Sequence, residues 1–278
     1  MKKIVTVIIA LFMCVSLVSC GKSEPVKQAE NAIAAIGEVT IDSEETIKSA
    51  EKLYNILTDS EKEKVENRMT LIDAREAFDS LKEEALKKED ESKKKEIFDN
   101  AKKAFNKISE AEEICENGMH DVHKAWHFGI YDASDYDAFT VLTPLCQELR
   151  LTEKEVEAGL EAFAEAIGRN ALYLKVDLTL DDAMSYCTNL IVFSYAARGD
   201  IDIIDNNLEE AKELLQKLTT EYQDYEYYPK LKDYYAKVSS YAEFFKSPSG
   251  SFDQLADTIN DYENNIRTYR SDLEFLFK

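Results

Sequence analysis

Apolar residues recur every three to four positions along most of this chain, which is the spacing of amphipathic α-helices. The first run covers residues 24–36, and later runs cover residues 47–57, 71–85 and 97–111. Glycine and proline number only 8 and 4 in 278 residues, whereas average proteins contain about 7% and 5%. The pattern therefore predicts an all-α fold of few, long helices and disfavours a fold that contains a sheet.

Residues 82–95 are almost wholly charged, yet they contain neither glycine nor proline. Opposite charges recur four positions apart in this stretch, which stabilises a solvated helix. The stretch predicts one long helix over about residues 70–116, which Asn117 and Gly118 should end. This helix would join a small N-terminal helical module, residues 26–88, to an acidic, antiparallel helical bundle, residues 89–278.

Three helix starts carry specific local signals. Thr152 and Ser251 are followed three residues later by Glu155 and Gln254, which is the capping-box pattern. Pro229 suits the first turn of a helix, because the N–H group that proline lacks has no helical partner there. These signals predict where three helices of the bundle begin.

The first twenty residues have the pattern of a secretory signal. Lys2 and Lys3 precede an almost entirely apolar stretch, residues 4–15, which is shorter than the roughly 20 residues that span a bilayer. The Leu-Val-Ser-Cys run at 17–20 resembles the lipobox of bacterial lipoproteins. The resemblance implies removal of residues 1–19, a covalent lipid on Cys20, and a tether at residues 20–25 on the extracytoplasmic face of the cell membrane.

A second resemblance covers about residues 26–81. The run Ala-Ile-Gly-Glu-Val-Thr-Ile-Asp-Ser at 35–43 is followed by the pattern Ala50-x-x-x-Tyr54-x-x-Leu57-Thr58 and by Leu71. These residues resemble a small helical module that repeats in cell-envelope proteins of Gram-positive bacteria. The resemblance implies a stalk or spacer that carries no catalytic residues.

The end of the chain carries a third resemblance. The pattern Tyr-x-x-Phe-x-x-Ser-Pro-x-Gly-Ser-Phe at 241–252 and the pattern Tyr-x-x-Asp-Leu-x-Phe at 269–275 resemble the C-terminal part of small helical lipoproteins. That family has no assigned activity, so the resemblance implies an anchored helical protein and no particular substrate.

The chain is strongly acidic, with a formal net charge of −21. Removal of residues 1–19, which hold two lysines and no acid, would leave about −23. A field of this sign repels nucleic-acid phosphates and anionic lipid headgroups. We therefore expect no nucleic-acid partner, and we expect attachment to the membrane to depend on the lipid.

All three histidines fall within eight residues, at His120, His123 and His127. On one helix they share an arc of about 60°, beside the apolar stripe. Clustered imidazoles bind zinc and other transition metals, so one hypothesis is a surface metal site at these positions. The alternative is three polar residues at the boundary of an amphipathic helix. Apart from the covalent lipid, no other cofactor is expected.

Residues 222–245 are rich in tyrosine and phenylalanine. Six residues form a seam at helical spacing: Tyr227, Leu231, Tyr234, Val238, Tyr241 and Phe245. The favoured interpretation is a contact between helices in the core, because aromatic residues at helical period usually face inward. Tyr228 and Tyr235 are the candidates for an exposed face that contacts a protein or glycan partner.

Besides Cys20, the processed chain would hold Cys115, Cys146 and Cys187. No CxxC pattern includes them, so we expect these cysteines to act as small apolar residues on buried helix faces.

The motifs of common catalytic sites are absent from the sequence, including serine elbows, phosphate loops and His-Glu-x-x-His runs. The sequence favours a non-enzymatic, lipid-anchored binding protein of the cell envelope. One alternative is a lipoprotein that binds a metal or small molecule at residues 120–127. The other is a phage-exclusion lipoprotein, because this chain resembles some of those proteins in being small, acidic, helical and lipid-anchored.

Overall fold

The structure is a computed structural model that describes residues 22–131, 145–168, 180–222 and 225–277, with only the backbone described for 180–185. Cys20 and the predicted signal lie outside the described residues. Within them every regular element is a helix, and no strand is present. The predicted all-α fold is confirmed.

The chain divides into two compact units between Ser92 and Lys93, whereas the sequence predicts a boundary between residues 88 and 89. The first unit contains three helices and the beginning of a fourth: α1 (Glu24–Ala34), α2 (Glu44–Asn55), α3 (Asp59–Lys62) and α4 (Arg68–Tyr131). Helix α4 continues into the second unit. The charged stretch at 82–95 is helical and exposed, as the sequence predicts.

The first unit packs around a small apolar core. Helices α1, α2 and α4 each direct one apolar face inward, and Ile33, Ile47 and Phe78 are among the most buried side chains. Between α1 and α2 the chain turns at Gly37, whose φ of +62° is readily available only to glycine. The unit is therefore held together by apolar contacts between helices that are close in sequence.

Helix α4 is continuous from Arg68 to Tyr131, so the prediction that Asn117 and Gly118 end it is wrong. Gly118 instead allows close packing, because a Cβ atom at this position would lie 2.3 Å from the phenyl ring of Phe245. Glycine within a helix costs up to about 1 kcal/mol relative to alanine. Here the missing side chain makes room for an aromatic ring from another helix.

The second unit contains the rest of α4 and further helices in the described part of the chain: α5 (Glu153–Ala166), α6 (Leu180–Arg198), α7 (Asp200–Glu221), α8 (Tyr228–Lys246) and α9 (Phe252–Phe277). The capping box before α5 is confirmed, since the Thr152 N–H donates to Glu155 at 2.6 Å and the Glu155 N–H donates back at 3.4 Å. The equivalent pair before α9, Ser251 and Gln254, is also formed.

Helix α9 runs antiparallel to α4. Residues near the end of α9 contact earlier residues of α4, and residues nearer the start of α9 contact later residues of α4. Three pairs mark this register: Phe105–Phe277 with ring centroids 5.4 Å apart, Glu112–Arg270 at 2.6 Å, and His120–Glu263 at 3.1 Å. The α9 partners lie seven residues apart, which is two helical turns. This register places the histidine-containing part of α4, residues 120–127, against α9.

Candidate functional site

His123 and His127 pack as aromatic residues around Phe252. The rings of His123 and Phe252 are stacked with centroids 4.7 Å apart, and His127 meets the same phenyl ring at 5.9 Å, edge to face. His127 also contacts Tyr131 at 4.6 Å. Burial lowers the pKa of His123, and the neighbouring His120 and His127 lower this pKa further. The Nε2 atom of His123 is buried and has no hydrogen-bond partner.

His120 belongs to a different group. It lies one helical turn after Glu116 on α4, and both face Glu263 of α9. One potential ligand atom from each of these three residues lies within 4.8 Å of the other two, and all three side chains are half-buried. In the described part of the chain, this is the group that could hold a metal ion, and it includes only one of the three histidines. Metal binding by His120, His123 and His127 together stays a prediction.

A buried carboxylate lies one turn before this group. Glu112 is 4% exposed, accepts a hydrogen bond from the Tyr234 hydroxyl and pairs with Arg270 at 2.6 Å. Burial raises the pKa of Glu112, while the hydrogen bond from Tyr234 and the charge of Arg270 oppose this rise. Burial and the adjacent Glu112 also raise the pKa of Tyr234. The tyrosine therefore stays protonated and donates to the carboxylate.

A small cavity of about 10 Å³ connects the buried carboxylate to the histidine group. It is lined mainly by charged and polar side chains: Glu112, Glu116, Tyr241, Glu263, Arg267 and Arg270. A space of this size holds roughly one water molecule. The cavity therefore offers room for one small polar species between α4, α8 and α9.

A second buried carboxylate, Asp121, lies on another face of α4. Its Oδ2 accepts hydrogen bonds from the Tyr195 hydroxyl at 2.9 Å and from the backbone N–H of Arg150 at 3.1 Å. The Arg150 guanidinium lies 3.8 Å from Oδ1. Burial and the nearby Asp121 raise the pKa of Tyr195. These contacts join α4 to α6 and to the segment that precedes α5, so Asp121 has a structural role.

The aromatic seam of α8 faces the core, as predicted. Five of its six residues are fully buried: Leu231, Tyr234, Val238, Tyr241 and Phe245. The sixth, Tyr227, is half-buried. Tyr228 and Tyr235, which the sequence marks for exposure, are both half-buried and pack against the edge of the core.

The two candidate tyrosines differ in their surroundings. Tyr235 lines a surface groove between α7 and α8, together with Asp205, Leu208, Glu209, Ser239 and Glu243. Tyr228 is not among the residues that line this groove. The hydroxyl of Ser239 is buried without a hydrogen-bond partner. Of the two tyrosines, only Tyr235 borders this groove.

The cysteines have the environment that the sequence predicts, with one difference. Cys115 and Cys187 are buried and unpaired, and burial raises the pKa of each thiol to about 12. Cys146 is also unpaired but only half-buried. A thiol with so high a pKa is almost fully protonated at neutral pH and is a poor nucleophile.

Sequence reasoning missed Glu112, Glu116 and Glu263. A local signal exists for Glu112, because it lies about 20° from Met119 on a helical wheel, within the apolar stripe of α4. No local signal marks Glu116 or Glu263 among 55 acidic residues. Their grouping with His120 depends on the register between α4 and α9, which the sequence pattern alone does not specify.

No protein-family model, curated protein or solved structure matches this chain. The structure itself defines the class, an all-α protein with two helical units. Among the described residues, no helix has both the length and the apolar character needed to cross a membrane. The resemblances to a lipobox, a helical spacer module and small helical lipoproteins stay predictions.

Proposed function

We propose that this protein is a lipid-anchored, extracytoplasmic binding protein of the cell envelope that has no catalytic activity of its own. The observation that carries the proposal is the Leu-Val-Ser-Cys run at 17–20, which follows a basic start and a short apolar stretch. One acyl chain binds a membrane only marginally, so stable anchoring takes two signals. A diacylglycerol on Cys20 supplies two chains.

The separation of the chain into two units supports this proposal. The first unit has a small apolar core and a charged exterior, as expected of a spacer between a membrane and a larger binding unit. The second unit holds the larger core and the clusters of polar side chains. In this proposal the first unit separates the anchor from the part that binds.

The anchor is tested by replacing Cys20 and following the protein into the detergent phase. The wild-type protein should partition into detergent, whereas Cys20→Ala should move to the aqueous phase or keep residues 1–19. Cys14→Ala is the matched control, since this cysteine lies within the apolar stretch, and it should behave as wild type. A correctly processed Cys20→Ala protein that still enters the detergent would overturn the lipid anchor.

We further propose that the partner contacts the groove at Tyr235 through a basic segment. Asp205, Glu209 and Glu243 line this groove and are 52%, 62% and 75% exposed. Lys212 and Lys246 pair with these carboxylates, which leaves one negative charge in excess. Tyrosine combines an apolar ring with a polar tip and is common at interfaces.

The groove is tested by capture from envelope extracts with immobilised protein variants. Tyr235→Ala and Glu209→Lys should each reduce capture of the specific partner several-fold, and added salt should weaken capture by the wild type. Tyr228→Ala and Tyr54→Ala are matched controls outside the groove and should retain capture. Equal capture by all four variants would exclude the groove, and repeated failure of the wild type to enrich any partner would contradict the binding function.

A further inference from the structure

We propose that Glu116, His120 and Glu263 together bind one divalent transition-metal ion of the zinc class. The site lies entirely within the second unit, and the proposal is independent of the lipid anchor and of the groove at Tyr235. It differs from the site suggested by sequence, since it shares only His120 with the group of three histidines.

The backbone geometry brings the three ligands together without distortion of either helix. Glu116 and His120 are four residues apart on α4, so their side chains lie on the same face, one turn apart. The register of α9 places Glu263 opposite them, and its Oε1 lies 3.1 Å from Nε2 of His120. The site therefore rests on regular helices, which hold ligands more firmly than loops do.

The distances suit a metal ion after a small movement of the side chains. Zinc binds nitrogen and oxygen ligands at about 2.0–2.2 Å, so neighbouring ligand atoms lie about 3.4 Å apart in tetrahedral geometry. The pair His120–Glu263 already has a separation of 3.1 Å, and all three atoms lie within 4.8 Å. Glu116, with 36% of its side chain exposed, can supply the remaining movement.

The surrounding charges leave the ligand carboxylates available. Arg270 lies 2.6 Å from Glu112 but 4.0 Å from Glu116, so its main partner is the buried Glu112. Arg267 also lines the adjacent cavity. The carboxylates of Glu112, Glu116 and Glu263 and the two arginines together carry one net negative charge before the metal binds. We therefore expect an affinity below that of structural zinc sites, which have four protein ligands.

Tyr241 supports the site from outside the group of ligands. Its hydroxyl lies 3.5 Å from Glu263 Oε1, and burial raises its pKa, so it stays a hydrogen-bond donor. Partners of this kind orient ligating carboxylates. Three protein ligands leave at least one coordination position open towards the cavity, where a water molecule can complete the geometry.

The ligand types select the class of ion. Calcium and magnesium take oxygen ligands almost exclusively, whereas imidazole favours zinc, cobalt and related ions. The proposal therefore predicts selectivity for Zn²⁺ and Co²⁺ over Mg²⁺ and Ca²⁺.

The test is calorimetric titration of the processed chain, residues 20–278 with Cys20→Ser, with Zn²⁺ and separately with Mg²⁺. The wild type should bind about one Zn²⁺ with saturation and should not respond to Mg²⁺. His120→Asn and Glu263→Gln should each weaken Zn²⁺ binding at least tenfold. His127→Asn and Glu113→Gln, which change exposed residues on the same helix, should leave the affinity within twofold.

Two further results decide the assignment. Co²⁺ in place of Zn²⁺ should give visible absorption bands that disappear in Glu263→Gln, provided that circular dichroism shows this variant to be folded. Absence of saturable binding by the wild type would overturn the proposal. Loss of binding in His123→Asn and His127→Asn, with retention in Glu263→Gln, would assign the metal to the three histidines instead.

Discussion

The two units of this protein differ in what they bury. In the described part of the first unit every buried residue is apolar except Ser43, whose hydroxyl accepts the N–H of Thr40. In the described part of the second unit two carboxylates are buried, Glu112 and Asp121, and each accepts a hydrogen bond from a tyrosine hydroxyl. A buried charge is unfavourable unless it is paired and hydrogen-bonded.

The comparison shows where functional chemistry can reside. The Arg75–Glu51 pair of the first unit is bidentate but partly solvated, with 28% and 30% of the side chains exposed, so loss of one partner leaves the other in contact with water. In the second unit, Arg270 reaches the buried carboxylate of Glu112, which borders a cavity. Among the described residues, the first unit buries apolar side chains almost exclusively, whereas the second also holds buried carboxylates at defined positions.

The largest expected effect comes from removing the partner of the buried charge. Arg270→Met should destabilise the second unit by about 2–3 kcal/mol, because Glu112 would be left buried without its cation. The partial exposure of Arg270 keeps the effect below that of a fully buried pair. Trp126 is the single tryptophan and lies in the second unit, so its fluorescence during urea denaturation measures this loss.

Arg75→Met provides the matched change in the first unit. Its cost should be about 0–1 kcal/mol, since both partners are partly solvated, and hydrogen exchange of the amides at 26–78 measures it. Equal losses for Arg75→Met and Arg270→Met would remove the distinction between the two units.

A smaller effect is expected from the close approach of α4 and α8. Gly118→Ala should cost about 1–2 kcal/mol, because the new methyl group collides with the ring of Phe245 and the better helix propensity of alanine offsets part of this cost. The Phe245→Leu background should relieve part of this cost in a double-mutant cycle. No coupling between these two positions would contradict the packing role assigned to Gly118.

The corresponding glycine of the first unit acts through the backbone. Gly37 has φ +62° and no atom within 4 Å of an added Cβ, so Gly37→Ala should cost about 1 kcal/mol from backbone strain alone. Hydrogen exchange at 26–78 measures this cost. If the cost of Gly37→Ala changed when the core residue Ile33 was also substituted, packing and not the backbone would determine that cost.

The smallest expected effect concerns pH. Because burial lowers the pKa of His123, the unfolded chain binds a proton at this position before the folded chain does, and stability falls as the pH drops below about 6.5. His123→Phe keeps the stacking on Phe252 and removes the titration. Its melting temperature should fall less than that of the wild type between pH 7 and pH 5, by on the order of 1 °C. A larger fall in the variant would contradict the lowered pKa.

The sequence predicts the helices and their capping boxes well because these depend on residues three or four positions apart. Thr152–Glu155 and Ser251–Gln254 are examples, and the charged stretch at 82–95 is helical for the same local reason. The end of α4 could not be predicted, because Gly118 meets the ring of Phe245, which belongs to another helix and leaves no local signal.

The candidate site could be predicted only in part. His120 is found by its clustering with other histidines, but its partner Glu263 is 143 residues away in sequence, and only the register between α4 and α9 joins them. Tyr234 and Glu112 are likewise 122 residues apart. Local periodicity predicts which face of a helix is buried, but it does not predict which polar residue of another helix will lie opposite.

The claim that binding chemistry resides in the second unit is tested most directly by amide NMR spectra of the processed chain during titration with Zn²⁺. Zn²⁺ should cause saturable changes at the amides near residues 116–120 and 263 and leave the resonances of residues 26–78 unchanged. Absence of saturable changes, or changes that are strongest within residues 26–78, would contradict it.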